Sequence, residues 1–137
     1  MLLKEISPYE KDMNMSKKFA LNPYDSWDIS TFAVQGDTVH ISHFGGSFDN
    51  SGKKIFTIEE QTMQAFKNLE KALKQIDLGL HNLLKVTVIL KNIKDFNKMH
   101  EVWKQIFPAN YPTRTTITSD FVDDHCLIQI DGVAESN

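Results

Sequence analysis

The sequence predicts a two-layer α+β domain in which a mixed β-sheet carries two helices on one face. Three observations lead to this fold class. A strand hairpin begins near residue 31, two amphipathic helical segments follow at 57–79 and 94–108, and apolar β-branched segments come after each helix. A hairpin, two connections between strand and helix and a closing pair of strands are typical of a sheet covered on one side.

The hairpin and the first helix carry the clearest local signals. TFAVQ and DTVHISHF are separated by Gly36-Asp37, a pair of residues that favours a tight turn between strands. The helix is predicted to begin after Thr57, which is a suitable N-cap, with Glu60 three residues later as in a capping box. Gly79 is the predicted termination.

The remaining elements follow from hydrophobic periodicity. LLKVTVIL, at 83–90, is rich in β-branched residues and indicates a buried strand. KDFNKMHEVWKQIFP has one apolar face and ends at a proline, which predicts the second helix. TRTTITSDF and CLIQIDGVA are the predicted last strands, and the second of them contains Cys126.

The predicted domain organisation is an irregular N-terminal arm over residues 1–28 and a single domain over residues 29–137. The arm has little periodicity, and Tyr9, Tyr24 and Trp27 are candidates for pinning it to the domain. The strands of the domain are apolar on both sides, so the sheet face without helices needs a cover. We therefore expect an oligomer.

Composition excludes several classes of function. The net charge of −3 argues against broad affinity for nucleic acid or membranes, which require a basic surface. No segment has the pattern of a secretory signal or the length of a membrane span. The single cysteine, Cys126, precludes an internal disulfide, fits a reducing compartment and is expected to be a buried, inert thiol. We expect a cytoplasmic protein.

Five motifs in order resemble the RidA/YjgF family of reactive-intermediate deaminases. The resemblance runs from about Phe32 to Ala134 and is carried by GDTVHIS, QTMQAFKNLEKAL, LLKVTVILKNIKDFNKMHEVWKQIFP, YPTRTTI and IQIDGVA. It implies a chorismate-mutase-like fold and a homotrimer with clefts at the subunit interfaces. It further implies hydrolysis of reactive imines and enamines to 2-keto acids and ammonia, with a small imino or keto acid as ligand and no cofactor.

The resemblance also implies the principal site residue, Arg114 in YPTRTTI. In the family, the arginine of this motif binds the substrate. A guanidinium group matches a planar carboxylate with two parallel charge-assisted hydrogen bonds, as a 2-imino acid requires. The alternative is an exposed strand arginine with no role beyond solubility.

Gln129 in LIQIDGV stands where the family has a glutamate that positions or activates water. Glutamine orients water by donating and accepting hydrogen bonds, but it cannot act as a general base. Asp131 lies on the same strand face, two residues on. The alternative is that Gln129 and Asp131 are ordinary polar residues of an outward face.

Four other positions correspond to the family's substrate site. Ser42 matches the family's serine, and His43 replaces the glycine that follows it. His43 narrows the pocket, changes the substrate, acts as an acid or base, or points away. Ile29 aligns with the family's cleft aromatic, unless Tyr24 takes that place across an insertion. His100 replaces a common asparagine and is either a residue of the cleft rim or a surface residue.

Three functions are therefore considered. The first is an imine or enamine deaminase, supported by Arg114 in its motif. The second is a non-catalytic binder of small carboxylates on the same scaffold, which Gln129 and His43 favour. The third is a ribonuclease or translation inhibitor, which the acidic pI of about 5.9 disfavours. A metal site is not expected, since His40 and His43 are three residues apart on one strand and should face opposite sides.

Overall fold

The computed structural model describes residues 16–136, which form a six-stranded sheet and two α-helices. In chain order, the elements are β1 (Lys17–Phe19), β2 (Phe32–Gln35), β3 (Thr38–Gly45), α1 (Ile58–Lys74), β4 (Leu83–Leu90), α2 (Phe96–Ile106), β5 (Thr113–Thr118) and β6 (Ile128–Glu135). The strand order is β1-β2-β3-β6-β4-β5. Strands β4 and β5 run parallel and the other described neighbours run antiparallel, so the predicted mixed sheet is confirmed.

The core lies between the two helices and one face of the sheet. The helices contact each other there, and the rings of Phe66 in α1 and Trp103 in α2 meet edge to face with centroids 5.9 Å apart. Beneath them are strand residues that are almost completely buried: Val86, Val88, Leu90, Ile128 and Ile130. Buried and more exposed side chains alternate along β4 and β6, so every second side chain points into the core. The predicted α+β class, with two helices on one face, is confirmed.

Helix α1 begins as predicted and ends earlier. Thr57 is the N-cap, and its hydroxyl accepts a hydrogen bond from the backbone N–H of Glu60 at 3.2 Å. The prediction that Gly79 ends the helix was wrong. The helix ends at Lys74, and Asp77 takes the left-handed conformation with φ of 60°. The N–H of Leu78 then donates to the carbonyl of Leu73 at 3.0 Å, and this bond closes a Schellman-type end.

A β-bulge interrupts the pairing of β3 with β6. Ile41 pairs with Gly132 and Phe44 with Ile130, so two residues of β3, Ser42 and His43, oppose one residue of β6. A bulge bends the strand and redirects its side chains. This irregularity decides where the two candidate residues on β3 lie.

The predicted N-terminal arm is more regular than expected. Residues 1–15, which include Tyr9, lie outside the described residues. Residues 17–19 form β1, which pairs antiparallel with β2, and Tyr24–Trp27 form one turn of 3-10 helix. The prediction that residues 1–28 are irregular was therefore wrong for these segments. The sheet begins before residue 29.

The end of the chain differs from the prediction in one respect. Cys126 was predicted to lie in the last strand, but that strand begins at Ile128. Cys126 is buried in the preceding loop, where its thiol donates to the carbonyl oxygen of Ile128 at 3.2 Å.

The face of the sheet without helices is mixed in character. Its side chains alternate with the buried ones, and most are polar, including His40, Thr87, Thr115 and Asp131. The apolar ones include Ala33, Ile89, Ile117 and Val133. The expectation of an oligomer assumed an apolar face, but this face is mostly polar. The expectation of an oligomer therefore rests on the site residues instead. Within residues 16–136, neither helix has the length and apolar character that crossing a membrane needs.

Candidate functional site

A groove of about 920 Å³ lies where the end of β3 meets α1 and the loop before β6. Four of its apolar side chains are exposed, which is unusual for residues of this kind. They are Trp27 at 52%, Ile29 at 38%, Phe48 at 47% and Val122, which is fully exposed. An apolar concave surface of this size with a few polar groups is typical of a small-molecule site.

Three of the predicted substrate residues border the groove. Ile29, His43 and Gln129 all line it, and so does Tyr24, the alternative to Ile29. The structure therefore does not require a choice between Tyr24 and Ile29, because both positions lie at the same groove.

Ser42 does not lie in the groove. It lines a small hollow on the other side of the bulge together with His40. Its hydroxyl donates to the carbonyl oxygen of Ser30 at 2.7 Å, and its N–H donates to the carbonyl oxygen of Thr31 at 3.0 Å. These bonds hold the segment before β2 against β3, so Ser42 supports the groove wall.

His43 is held by two aromatic residues of the N-terminal segment. The Tyr24 hydroxyl donates to the backbone carbonyl of His43 at 2.6 Å. The rings of Trp27 and His43 are nearly parallel, at 8°, with centroids 5.9 Å apart. Tyr24 is itself buried, and burial raises the pKa of its hydroxyl, so this donor stays protonated. His43 thus presents a fixed ring to the groove, and the hypothesis that it points away is wrong.

The floor of the groove contains Cys126 and Gln129. The pKa of the Cys126 thiol is raised, mainly by burial. The thiol therefore stays protonated and is a poor nucleophile. Gln129 pairs with Gly45 on the neighbouring strand. Because glycine has no side chain, the Gln129 amide has room beside the Cys126 thiol. The amide can therefore orient a water molecule in the groove.

Two carboxylates border the groove, and sequence analysis did not single out either. Asp49 accepts hydrogen bonds from Ser51 and from the backbone of Lys53, which lower the pKa of its carboxyl. Asp123 accepts from the N–H of His125 at 2.9 Å. Both are loop residues, for which spacing carries no signal.

Arg114 lies elsewhere, on the helix side of edge strand β5. Its Nη1 atom is 3.0 Å from Nδ1 of His100. Its guanidinium carbon lies 4.7 Å from the ring centroid of Trp103 and 5.4 Å from that of Phe96. The ring of His100 is parallel to that of Phe96, with centroids 5.8 Å apart. Arg114 and His100, which the sequence analysis named separately as site candidates, are thus in direct contact.

The charge of Arg114 is not neutralised within the described chain. No carboxylate of residues 16–136 forms an ion pair with it. Its neighbours are aromatic faces and one imidazole, and partial burial lowers the pKa of the guanidinium. The contact at Nδ1 requires a neutral His100 whose proton is on Nε2. A half-buried cation with free donors can accept an external anion.

One chain does not bring Arg114 and Gln129 together. Strand β4 lies between β5 and β6, so two strand spacings, roughly 10 Å, separate them. Ile128 and Ile130 on either side of Gln129 are buried under the helices, so Gln129 points to the opposite face. Arg114 contacts helix α2 and therefore faces the helices.

Metal ligation finds no support in the described part of the chain. No group of three or more histidine, cysteine or acidic side chains there could hold an ion. His40 and His43 lie in separate hollows, and the bulge between Ile41 and Phe44 interrupts the simple strand alternation from which that separation was expected.

Comparison with known proteins identifies the family. The model of the family described as endoribonuclease L-PSP matches residues 18–136. The human protein named 2-iminobutanoate/2-iminopropanoate deaminase is 32% identical over 116 residues, which cover 84% of this chain and 81% of that protein. Its mouse counterpart is 30% identical over 117 residues, which cover 84% and 82%. A solved structure from Streptococcus pyogenes, described as a member of the yjgF family, superposes with a TM-score of 0.74 at 23% identity and covers 89% of this chain and 97% of its own. The chain therefore belongs to the RidA/YjgF family.

Proposed function

We propose that this protein hydrolyses 2-imino acids, and the enamines in equilibrium with them, to 2-keto acids and ammonia. The observation that carries the proposal is the half-buried Arg114, whose guanidinium has no carboxylate partner within residues 16–136. A substrate carboxylate supplies that partner. Relatives named as 2-iminobutanoate/2-iminopropanoate deaminases support the same reaction class.

The active unit we propose is a homotrimer with a cleft at each subunit interface. A small imino acid cannot span the separation between Arg114 and Gln129 in one chain, nor reach both faces of the sheet. A second copy that places its β5 edge beside the groove would bring the two residues to one ligand. In this arrangement Arg114 of one subunit and Gln129 of its neighbour form a single site.

The proposed chemistry uses positioning and a bound water. Arg114 binds the carboxylate through two parallel hydrogen bonds and so fixes the imine carbon. Gln129 orients a water molecule, whose oxygen attacks that carbon while the C=N electron pair moves to nitrogen. The nitrogen takes the proton that the water loses. The hydroxyl proton of the resulting carbinolamine then moves to the same nitrogen. The C–N bond breaks with its electron pair on nitrogen, so ammonia leaves, and the oxygen electron pair forms the C=O bond of the keto acid.

A second candidate is a binder of 2-keto acids without catalysis. The specific observation in its favour is Gln129, since an amide cannot accept the proton of the attacking water. In the first proposal the substrate nitrogen performs that role. The two candidates therefore share Arg114 as the carboxylate anchor, and they differ only in whether turnover occurs.

The test is an assay in which an amino-acid oxidase generates 2-imino acids in the presence of semicarbazide, which traps imine that has not been hydrolysed. We expect the wild-type protein to lower the trapped product, Arg114→Ala to lose this effect and Arg114→Lys to retain a small part of it. Lys104→Ala is the matched control, because Lys104 is an exposed cation of α2 that pairs with Glu101. Light scattering on each variant verifies the trimer.

The outcomes separate the two candidates. No effect with any imino acid, together with Arg114-dependent binding of 2-oxobutanoate, would establish the binder. Equal activity of Arg114→Ala and wild type would refute the assignment of Arg114. Cleavage of RNA that persists in Arg114→Ala would favour the function named in the family description.

A further inference from the structure

We propose that His43 and Trp27 form a stacked ring pair that makes the site select 2-imino acids with an aromatic or other large apolar side chain. The inference rests on the proposed function and adds a substrate class to it. The observations that support it are the geometry of the ring pair and the exposed apolar surface around that pair.

The ring pair is built rigidly into the groove. Trp27 lies in the single 3-10 turn before β2, and His43 lies on the bulge of β3. The two rings are within 8° of parallel. Tyr24 fixes both, since its hydroxyl holds the backbone of His43 and its ring meets Trp27 edge to face at 5.3 Å. Fixed rings lose little conformational entropy when a ligand covers them.

The pair also removes polar contacts that a small substrate would use. The hydroxyl of Tyr24 already occupies the carbonyl oxygen of His43, at 2.6 Å. The imidazole side chain stands where a glycine would leave the backbone bare. A substrate with an ethyl side chain would therefore meet ring surface instead of backbone polar groups.

The apolar surface around the pair is larger than a small substrate can cover. Trp27 remains 52% exposed and Phe48 47% exposed, and the groove holds about 920 Å³. A benzyl or isobutyl side chain would remove this surface from water, whereas an ethyl group would leave most of it exposed to water. Each methylene that is buried contributes about a fourfold preference. We therefore expect at least a tenfold preference for the large side chain.

The experiment compares kcat/KM for imines generated from phenylalanine, leucine and 2-aminobutyrate. The wild type should favour the first two by about tenfold or more over the third. His43→Ala and Trp27→Ala should each lower this ratio roughly fivefold, and His43→Phe, which keeps a ring, should preserve it. His40→Ala is the matched control, because His40 is a histidine of the same strand that lies outside the groove. The ratio should not change in that variant.

Two results would overturn the inference. One is a wild type that favours the ethyl side chain or shows no preference. The other is a selectivity ratio that neither His43→Ala nor Trp27→Ala changes. If Trp27→Ala also dissociates the trimer, that result would mean that a second copy, and not the substrate, covers these residues.

Failure of the proposed function is distinguishable from failure of the inference. If no imine is hydrolysed, the same variants are tested for binding of 3-phenyl-2-oxopropanoate and 2-oxobutanoate by calorimetry. Tenfold tighter binding of the phenyl compound, reduced in His43→Ala, would sustain the selectivity without catalysis. Equal affinities, or no binding of either compound, would overturn it.

Discussion

Gln61 provides a direct test of how the groove wall is held. This amide of α1 is fully buried. Its Nε2 atom donates to the carbonyl oxygens of Ile55 at 2.8 Å and His125 at 3.1 Å, and its Oε1 atom accepts from the N–H of Leu127 at 2.9 Å. One side chain thus fastens the segment before α1 to the loop before β6, which borders the groove.

We expect Gln61→Leu to lower the free energy of unfolding by about 3–5 kcal/mol. Leucine keeps most of the volume but makes none of the three bonds. Each lost bond costs about 1 kcal/mol net, and a buried backbone group left without a partner adds about 1–3 kcal/mol. Because domains of this size are stable by roughly 5–15 kcal/mol, the loss is large.

Urea unfolding at fixed protein concentration measures this loss, with the midpoint and slope compared between variants. Gln64→Leu is the matched control on the same helix. Among residues 16–136, its amide bonds to the side chains of Asn68 at 2.8 Å and Asn50 at 3.4 Å, which water can satisfy, so we expect a cost of less than about 1 kcal/mol. A cost below 1 kcal/mol for Gln61→Leu, or equal costs for both variants, would refute the reasoning.

Two further predictions concern titration and the anchor of Arg114. Burial raises the pKa of the Cys126 thiol, so above about pH 8.5 the unfolded chain ionises first and the free energy of unfolding falls as pH rises. Cys126→Ala should flatten this slope between about pH 8.5 and 10 in urea titrations, and an unchanged slope would contradict the assignment. His100→Ala should raise KM roughly five- to tenfold with little change in kcat, since Arg114 loses its acceptor, while His100→Asn, which retains an acceptor, should restore much of the loss. If His100→Ala had the same KM as the wild type, His100 would have no positioning role.

The elements with strong local signals were predicted from the sequence. β4 was predicted with the bounds that the structure shows, 83–90, because its β-branched residues have no helical period. Thr57 was predicted as a cap because N-capping depends on one side chain and its neighbours. The same holds for the hairpin turn, where Gly36 has φ of 59°.

The errors fall where tertiary contacts decide the structure. β1 has three residues, too few for periodicity to appear, and it exists because β2 offers an edge. At the end of α1, the N–H of Leu78 bonds to the carbonyl of Leu73, and Asp77 takes a left-handed conformation that glycine adopts more readily. The bulge at Ser42 and His43 has no signature in SHF, yet it separates the two residues into different hollows.

The candidate site residues were named from the sequence, but their arrangement was not. Arg114 was identified by its motif, and its contacts with Phe96 and Trp103 follow from α2 packing over β5. The ring pair at Trp27 and His43 depends on a turn that the sequence did not indicate. Alternation along β6 was known, but the strand order that sets Gln129 two strands from Arg114 was not.

The surroundings of Arg114 favour a role in binding over a role in stability. A cation that loses water on burial is destabilised to the extent that cation–π contacts, acceptors or anions do not replace that water. Here His100 replaces part of it, and burial still lowers the pKa of the guanidinium. For stability alone, an acid near β5 would serve better. The ligand carboxylate that we propose for this site would supply a negative charge with the planar geometry that the guanidinium matches.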